Sequence, residues 1–120
     1  MAGRSTQEVV SDHLALAQMG EVWRDLERNL APDCVILTTY GVFHGHEGAL
    51  RAAQLLDEQV GETQYDYRSL LFHGEIGFLE WSADGPQGTV KDGADSYWVR
   101  DGKIRVMTIH YTVEPKRALH

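Results

Sequence analysis

The stretch EGALRAAQLLDEQVGETQYDYRSLLF (residues 47–72) changes its hydrophobic period at Gly61, and that change decides the fold. Before the glycine, Ala49, Ala53, Leu56 and Val60 recur at three- and four-residue spacing, which puts them on one face of a helix. After it, residues 63–72 are strand-like, and the same character returns in residues 76–83, 89–99 and 103–113. His73-Gly74, Asp84-Gly85-Pro86 and Asp101-Gly102 separate these runs with turn chemistry, which predicts an antiparallel meander. Upstream, Ser5 and Glu8 form a capping box for a first helix, in which Val9, Val10, His13, Leu14, Leu16 and Ala17 keep the helical period as far as Met19-Gly20. Residues 21–30 repeat that period through Val22, Trp23, Leu26 and Leu30, and Pro32 stops them. Residues 34–40 read as a short strand and residues 41–45 as a turn. Helices first and strands after predict an α+β fold whose amino-terminal helices cover one face of a curved, mostly antiparallel sheet.

One domain is expected over residues 1–120, with an ordered core at about residues 5–113 and a loose tail after Pro115. Hydrophobic residues at 42% and charged residues at 24% describe a chain that folds rather than a disordered one. Eleven basic against eighteen acidic residues leave a net charge of −7, and no run of Lys or Arg overrides that total. Nucleic acid and anionic membranes are therefore poor partners. The single cysteine, Cys34, cannot close an internal disulfide, which fits a reducing compartment. The opening residues MAGRSTQEVVSDH lack the apolar core of a signal peptide, and no apolar run approaches the ~20 residues that span a bilayer, so a cytoplasmic protein is expected. His44 and His46 stand two apart without a third dedicated ligand, so no metal is expected, and a place beside a helix start is the plainer account of His46. No serine elbow, phosphate-cradling glycine loop or dinucleotide fingerprint is found, and no cofactor is expected.

Several short motifs carry a family resemblance: Gly20-Glu21 opening the second helix, Leu30-Ala31-Pro32-Asp33 before the first strand, Gly45 before the third helix, and Arg100-Asp101-Gly102-Lys103-Ile104 in the last hairpin. In this order they resemble the nuclear transport factor 2-like superfamily, nearest to its SnoaL-like and steroid delta-isomerase-like branch, over about residues 5–113. Phe78-Leu79-Glu80-Trp81, Asp92-Gly93-Ala94-Asp95-Ser96 and Thr108-Ile109-His110-Tyr111 are similar to an uncharacterised bacterial subgroup of SnoaL-like proteins. The resemblance implies a cone, in which a strongly bent sheet wraps a helix and opens into an apolar pocket suited to a small apolar molecule. It places His13 where the isomerases have a tyrosine donor, Asp95 where they have the protonated aspartic acid of the oxyanion hole, and Thr38 where they have the proton-shuttling aspartate. The familiar isomerase route thus loses its carrier, and Glu80 is the candidate to supply the missing carboxylate.

In the last strand Met107, Ile109 and Tyr111 share the more apolar side and are expected to face the pocket. For the two middle strands alternation leaves both faces open, and only the resemblance turns Phe78, Glu80, Asp95 and Tyr97 inward. The reading is then an enzyme doing general acid/base chemistry (isomerisation, cyclisation or dehydration) on an apolar oxygenated substrate, with Asp95, Glu80 and His13 as the reacting groups. Tyr40, Thr38, Phe78, Tyr97, Met107, Ile109 and Tyr111 are the substrate-binding walls. The alternative is a non-catalytic ligand-binding or dimeric assembly module, with Glu80 facing solvent or pairing with Arg68 or Arg105 at the rim, Asp95 capping a neighbouring backbone group and His13 a hydrogen-bonded core histidine. Trp81, Trp98 and His110 are expected on the convex sheet face, where an aromatic patch predicts a homodimer contact.

Overall fold

The computed structural model describes residues 3–116, and among these it shows three helices and seven strands. Helix α1 (Thr6–Gln18) begins at the predicted capping box. The Ser5 hydroxyl accepts from the Glu8 N–H at 3.1 Å, and the Glu8 carboxylate accepts from the Ser5 N–H at 2.8 Å. Two donors that a helix start leaves free are thereby satisfied. Val9, Val10, Leu14 and Leu16 form its buried stripe. Helix α2 (Val22–Asn29) follows and buries Leu26 together with two polar residues, Asp25 and Asn29.

Strand β1 (Leu30–Thr38) starts four residues earlier than the periodicity suggested and includes Pro32. Leu30 and Ala31 are buried, and Leu30 already pairs with Ile104. The expected turn at residues 41–45 is instead strand β2 (Gly41–His44), a hairpin partner of β1 in which Thr38 opposes Gly41 and Val35 opposes His44. Thr38 closes that hairpin, its Oγ1 accepting from the Tyr40 N–H and donating to the Gly41 carbonyl. Helix α3 (Gly45–Val60) ends at Gly61, whose φ of 90° is a conformation that side chains disfavour. The change of period seen in the sequence thus coincides with a backbone break.

Beyond it, β3 (Tyr65–His73), β4 (Ile76–Asp84), β5 (Gly88–Arg100) and β6 (Lys103–His110) form the predicted antiparallel meander. The strand order is β2-β1-β6-β5-β4-β3, and β7 (Glu114–Pro115) adds to β5. β1 runs parallel to β6, so the sheet is mixed, curved and not closed. Register shifts at Tyr67/Ser69, Trp81/Ala83 and Trp98/Val99 lie in three successive strand pairs, and such bulges bend and twist a sheet. The concave face buries Leu79, Trp81, Tyr97, Ile104 and Met107 against Val9, Val10, Leu14, Leu26 and Val60 in one core. A loose tail after Pro115 was expected. Lys116 is held by the Gln87 carbonyl and the Asp84 carboxylate, and residues 117–120 lie outside the described residues. No helix among the described residues is long and apolar enough to cross a membrane.

Candidate active site

The concave face and the three helices enclose a cavity of about 400 Å³. Its walls are mostly apolar: Leu14 from α1, Ala52 and Leu56 from α3, and Ile36, Leu79 and Met107 from the sheet. Into it project Asp95, His13, Thr38, Tyr40, Ile109 and Tyr111, all singled out above. Tyr97 is fully buried behind the wall. There its ring packs edge-on against His13, with centroids 5.5 Å apart, and its hydroxyl donates to Asp95 at 3.0 Å.

Glu80 and Phe78 do not join them. Both are exposed on the convex side of β4, whose buried face is Gly77, Leu79, Trp81 and Ala83. The cross-strand register is the reason. Leu79 pairs with Asp95 and Gly77 with Tyr97, and directly opposed residues share a face, so Asp95 and Tyr97 pointing inward force Glu80 and Phe78 outward. Arg68 and Arg105, offered as rim partners for Glu80, reach Asp66 and Asp101 instead. Trp81, expected on the convex face, is turned inward by the same register. Its indole N–H donates to Asp95 at 2.9 Å. Trp98 and His110 are on the outer face, with the Trp98 N–H on Glu75, the Arg100 guanidinium over its ring, and His110 beside Asp92. His46 Nε2 donates to the Leu30 carbonyl at 2.8 Å from the first turn of α3.

Asp25 is the site residue that the sequence reading missed. His13 Nδ1 lies 2.7 Å from Asp25 Oδ2. A carboxylate only accepts, so Nδ1 carries the hydrogen and Nε2 is the nitrogen free to exchange a proton. Asn29 sets Asp25 in turn, donating from Nδ2 to Asp25 at 2.9 Å and to Asp12 at 2.7 Å, while its Oδ1 accepts from Arg4 at 2.8 Å. Arg28 pairs with Asp12. Two carboxylates on one side and a guanidinium on the other leave only this amide orientation fully bonded. The signal was present in α2, where Asp25 and Asn29 stand four apart and flank the buried Leu26. Asn29→Ala leaves two carboxylates short of a donor, and a loss of about 2–4 kcal/mol in denaturant-derived stability is expected.

Burial raises the Asp95 carboxyl to about 6, against the opposing pull of the Trp81 and Tyr97 hydrogen bonds and the His13 charge. Burial alone would lower the His13 pKa, but the Asp25 charge and hydrogen bond outweigh it, and Asp95 and Asp12 add to the rise. Near pH 7 Asp95 is therefore mainly a carboxylate and His13 holds its proton above the pH at which a free imidazole releases it. An acid and a base share the apolar cavity.

A family model described as SnoaL-like domain matches residues 10–107. Among curated proteins none matches the chain by sequence. Several solved structures share the fold. An NTF2-like protein of unknown function from Cytophaga hutchinsonii superposes with a TM-score of 0.73 at 14% identity, covering 93% of this chain and 95% of its own. A candidate ketosteroid isomerase from Kribbella flavida gives 0.76 at 17% identity, covering 96% and 83%. IdmH, a candidate polyketide cyclase from Streptomyces antibioticus, gives 0.73 at 16% identity, covering 90% and 92%. At these identities the likeness is one of fold.

Proposed function

The chain belongs to the SnoaL-like domain family, and from that premise we propose an enzyme that performs general acid/base chemistry, an isomerisation, cyclisation or dehydration, on an apolar oxygenated small molecule. One observation carries this reading: Asp95 and the His13–Asp25 pair meet at one apolar cavity, joined by a Tyr97 that packs on the histidine and donates to the aspartate. Asp95 takes a proton from the substrate carbon or hydroxyl, and His13 Nε2 gives one to the developing oxyanion or leaving oxygen. Asp25 keeps the imidazole oriented and stabilises its charged form. The apolar walls exclude water, so neither proton is lost to solvent between the two steps. Glu80 has no part in this scheme. The fold relatives described as isomerase and cyclase candidates support the reaction class.

Native mass spectrometry of the purified protein, followed by incubation of the recovered small molecule with fresh enzyme, tests the proposal. Conversion by the parent and a fall of about 10²-fold or more in His13→Gln supports it. A compound that binds and is never converted identifies a binding module instead. The pH profile of kcat/KM should rise through about 6 as Asp95 ionises and fall at the raised pKa of His13, the two limbs belonging to the coupled pair.

Assembly as a homodimer is proposed through a corrected patch on the convex face. Leu71 opposes Phe78 across β3 and β4, and Leu37 opposes Val42 across β1 and β2. Ser96 and Thr108 complete one row across the sheet between Phe78 and Leu37. The four apolar members are 37–62% exposed, which leaves a broad apolar face in water unless a second copy covers it. Light scattering should report a dimer for the parent and a monomer for Phe78→Glu, with a melting temperature changed by only a few degrees. A monomeric parent at high micromolar concentration removes the proposal.

A further inference from the structure

We propose that the cavity prefers planar aromatic ligands carrying a positive charge and disfavours anionic ones, a refinement that rests on reading the cavity as a small-molecule site. Five aromatic rings form a continuous arc along its wall. From the exposed end, Tyr40 meets Tyr111 with centroids 5.8 Å apart, Tyr111 meets Trp81 at 5.8 Å, Trp81 meets Tyr65 at 5.6 Å, and Tyr65 stacks with Tyr67 at 6.4 Å. Gln59 pins the outer end, donating to the Tyr40 hydroxyl at 2.9 Å and accepting from the Tyr111 hydroxyl at 2.6 Å. α3 contributes the small side chains of Ala52 and Ala53 to the same lining. Aromatic faces attract organic cations through their quadrupoles, and the attraction strengthens where water is excluded.

The charges facing the cavity have the matching sign. Among the described residues that line it, the carboxyl and imidazole groups are those of Asp25, Asp57, Asp95 and His13, with no lysine or arginine. Asp25 lies 2.7 Å from His13 and offsets any charge the imidazole carries, so no cation on the lining balances Asp95 and Asp57. Each Asp95 oxygen accepts one hydrogen bond from a neutral donor, the Trp81 indole or the Tyr97 hydroxyl. Neither donor neutralises the carboxylate, and each oxygen keeps a second lone pair for a ligand N–H. An anionic ligand would meet the buried Asp95 carboxylate in a poorly hydrated space and the exposed Asp57 carboxylate on the same lining, whereas a cation supplies the missing countercharge. The net charge of −7 attracts the same class of ligand from solution.

Three planar probes of one size separate the possibilities at pH 7.5: cationic 9-aminoacridine, neutral 9-anthracenemethanol and anionic anthracene-9-carboxylate, each followed by fluorescence titration at physiological salt. The cation should bind about ten-fold more tightly than the neutral probe and about a hundred-fold more tightly than the anion. Asp95→Asn should bring the cation's affinity to within about two- to three-fold of the neutral probe's. Tyr65→Leu should weaken the cation more than the neutral probe. Asp66→Asn, on the exposed side of β3, should leave the preference intact and so separate cavity binding from general attraction to an acidic surface. Equal binding of the cationic and neutral probes, or a preference that survives Asp95→Asn, overturns the charge preference and leaves the small-molecule reading standing. Failure of all three to bind overturns both.

Discussion

An Asp95→Asn variant is expected to lose turnover by about 10²–10⁴-fold and, above pH 6, to melt at a higher temperature than the parent. Both effects have one source, the burial that lifts the Asp95 carboxyl to about 6. An aspartate in the unfolded chain titrates near 3.9, so the folded state binds this proton more tightly than the unfolded state does. Its contribution to stability is therefore complete below about pH 4, declines as the pH rises, and is gone above the folded pKa of about 6. Holding a poorly solvated carboxylate then costs the folded state about 3 kcal/mol near pH 7. Asparagine keeps the shape and lets the Trp81 N–H still donate to Oδ1, while its own amide can donate to the Tyr97 oxygen. It carries no charge to desolvate. The melting-temperature gap between variant and parent should be several degrees at pH 7.5 and should close as the pH falls toward 4. A variant that is less stable than the parent at every pH would mean that His13 and the two hydrogen bonds more than compensate the burial, and that Asp95 is held for structure. Higher stability with lost turnover is the trade-off expected of a group kept strained for chemistry.

The parts of the fold set by local chemistry were legible in the sequence. The Ser5–Glu8 cap, the glycine at the end of α3 and the turn residues of the meander all report on their immediate neighbours. Facing was harder, because alternation in β4 offers two sets of similar hydrophobicity and the choice rests on a partner strand. In the register of β4 against β5 Glu80 opposes Ala94 and shares its face, so Glu80 and Asp95 cannot both turn inward. The parallel pairing of β1 with β6 and the extension of β1 back to Leu30 likewise depend on contacts some seventy residues apart in the chain. Asp25 escaped notice for a related reason. A lone aspartate in a short, highly charged helix reads as solvated surface until α1 is packed against it and brings His13 within hydrogen-bond distance.

The same register makes Gly93 a structural determinant of the site, and Gly93→Ala is expected to destabilise the protein by about 3 kcal/mol. Gly93 opposes Trp81 across β4 and β5. A β-carbon built on Gly93 falls inside contact distance of three atoms of the indole ring, Cδ2, Cε2 and Nε1. Trp81 can yield only toward the cavity it lines. Only 3% of it is exposed, its ring is packed against Tyr65 and Tyr111, and its Nε1 is bonded to Asp95. An added methyl must therefore part β4 from β5 or drive the indole into the cavity. Either movement breaks the hydrogen bond to Asp95, which then loses a donor to its ionised form and should titrate above 6. Near-ultraviolet circular dichroism and carboxyl NMR titration report these two consequences separately from the loss of stability. The clash is specific to the large ring, so Trp81→Phe should recover part of it. A double-mutant cycle on Gly93→Ala and Trp81→Phe should show a favourable coupling of about 1 kcal/mol or more. Strictly additive effects would show that the glycine matters for backbone freedom alone, and that the indole's place over β5, from which it holds Asp95 in the cavity, is set by other contacts.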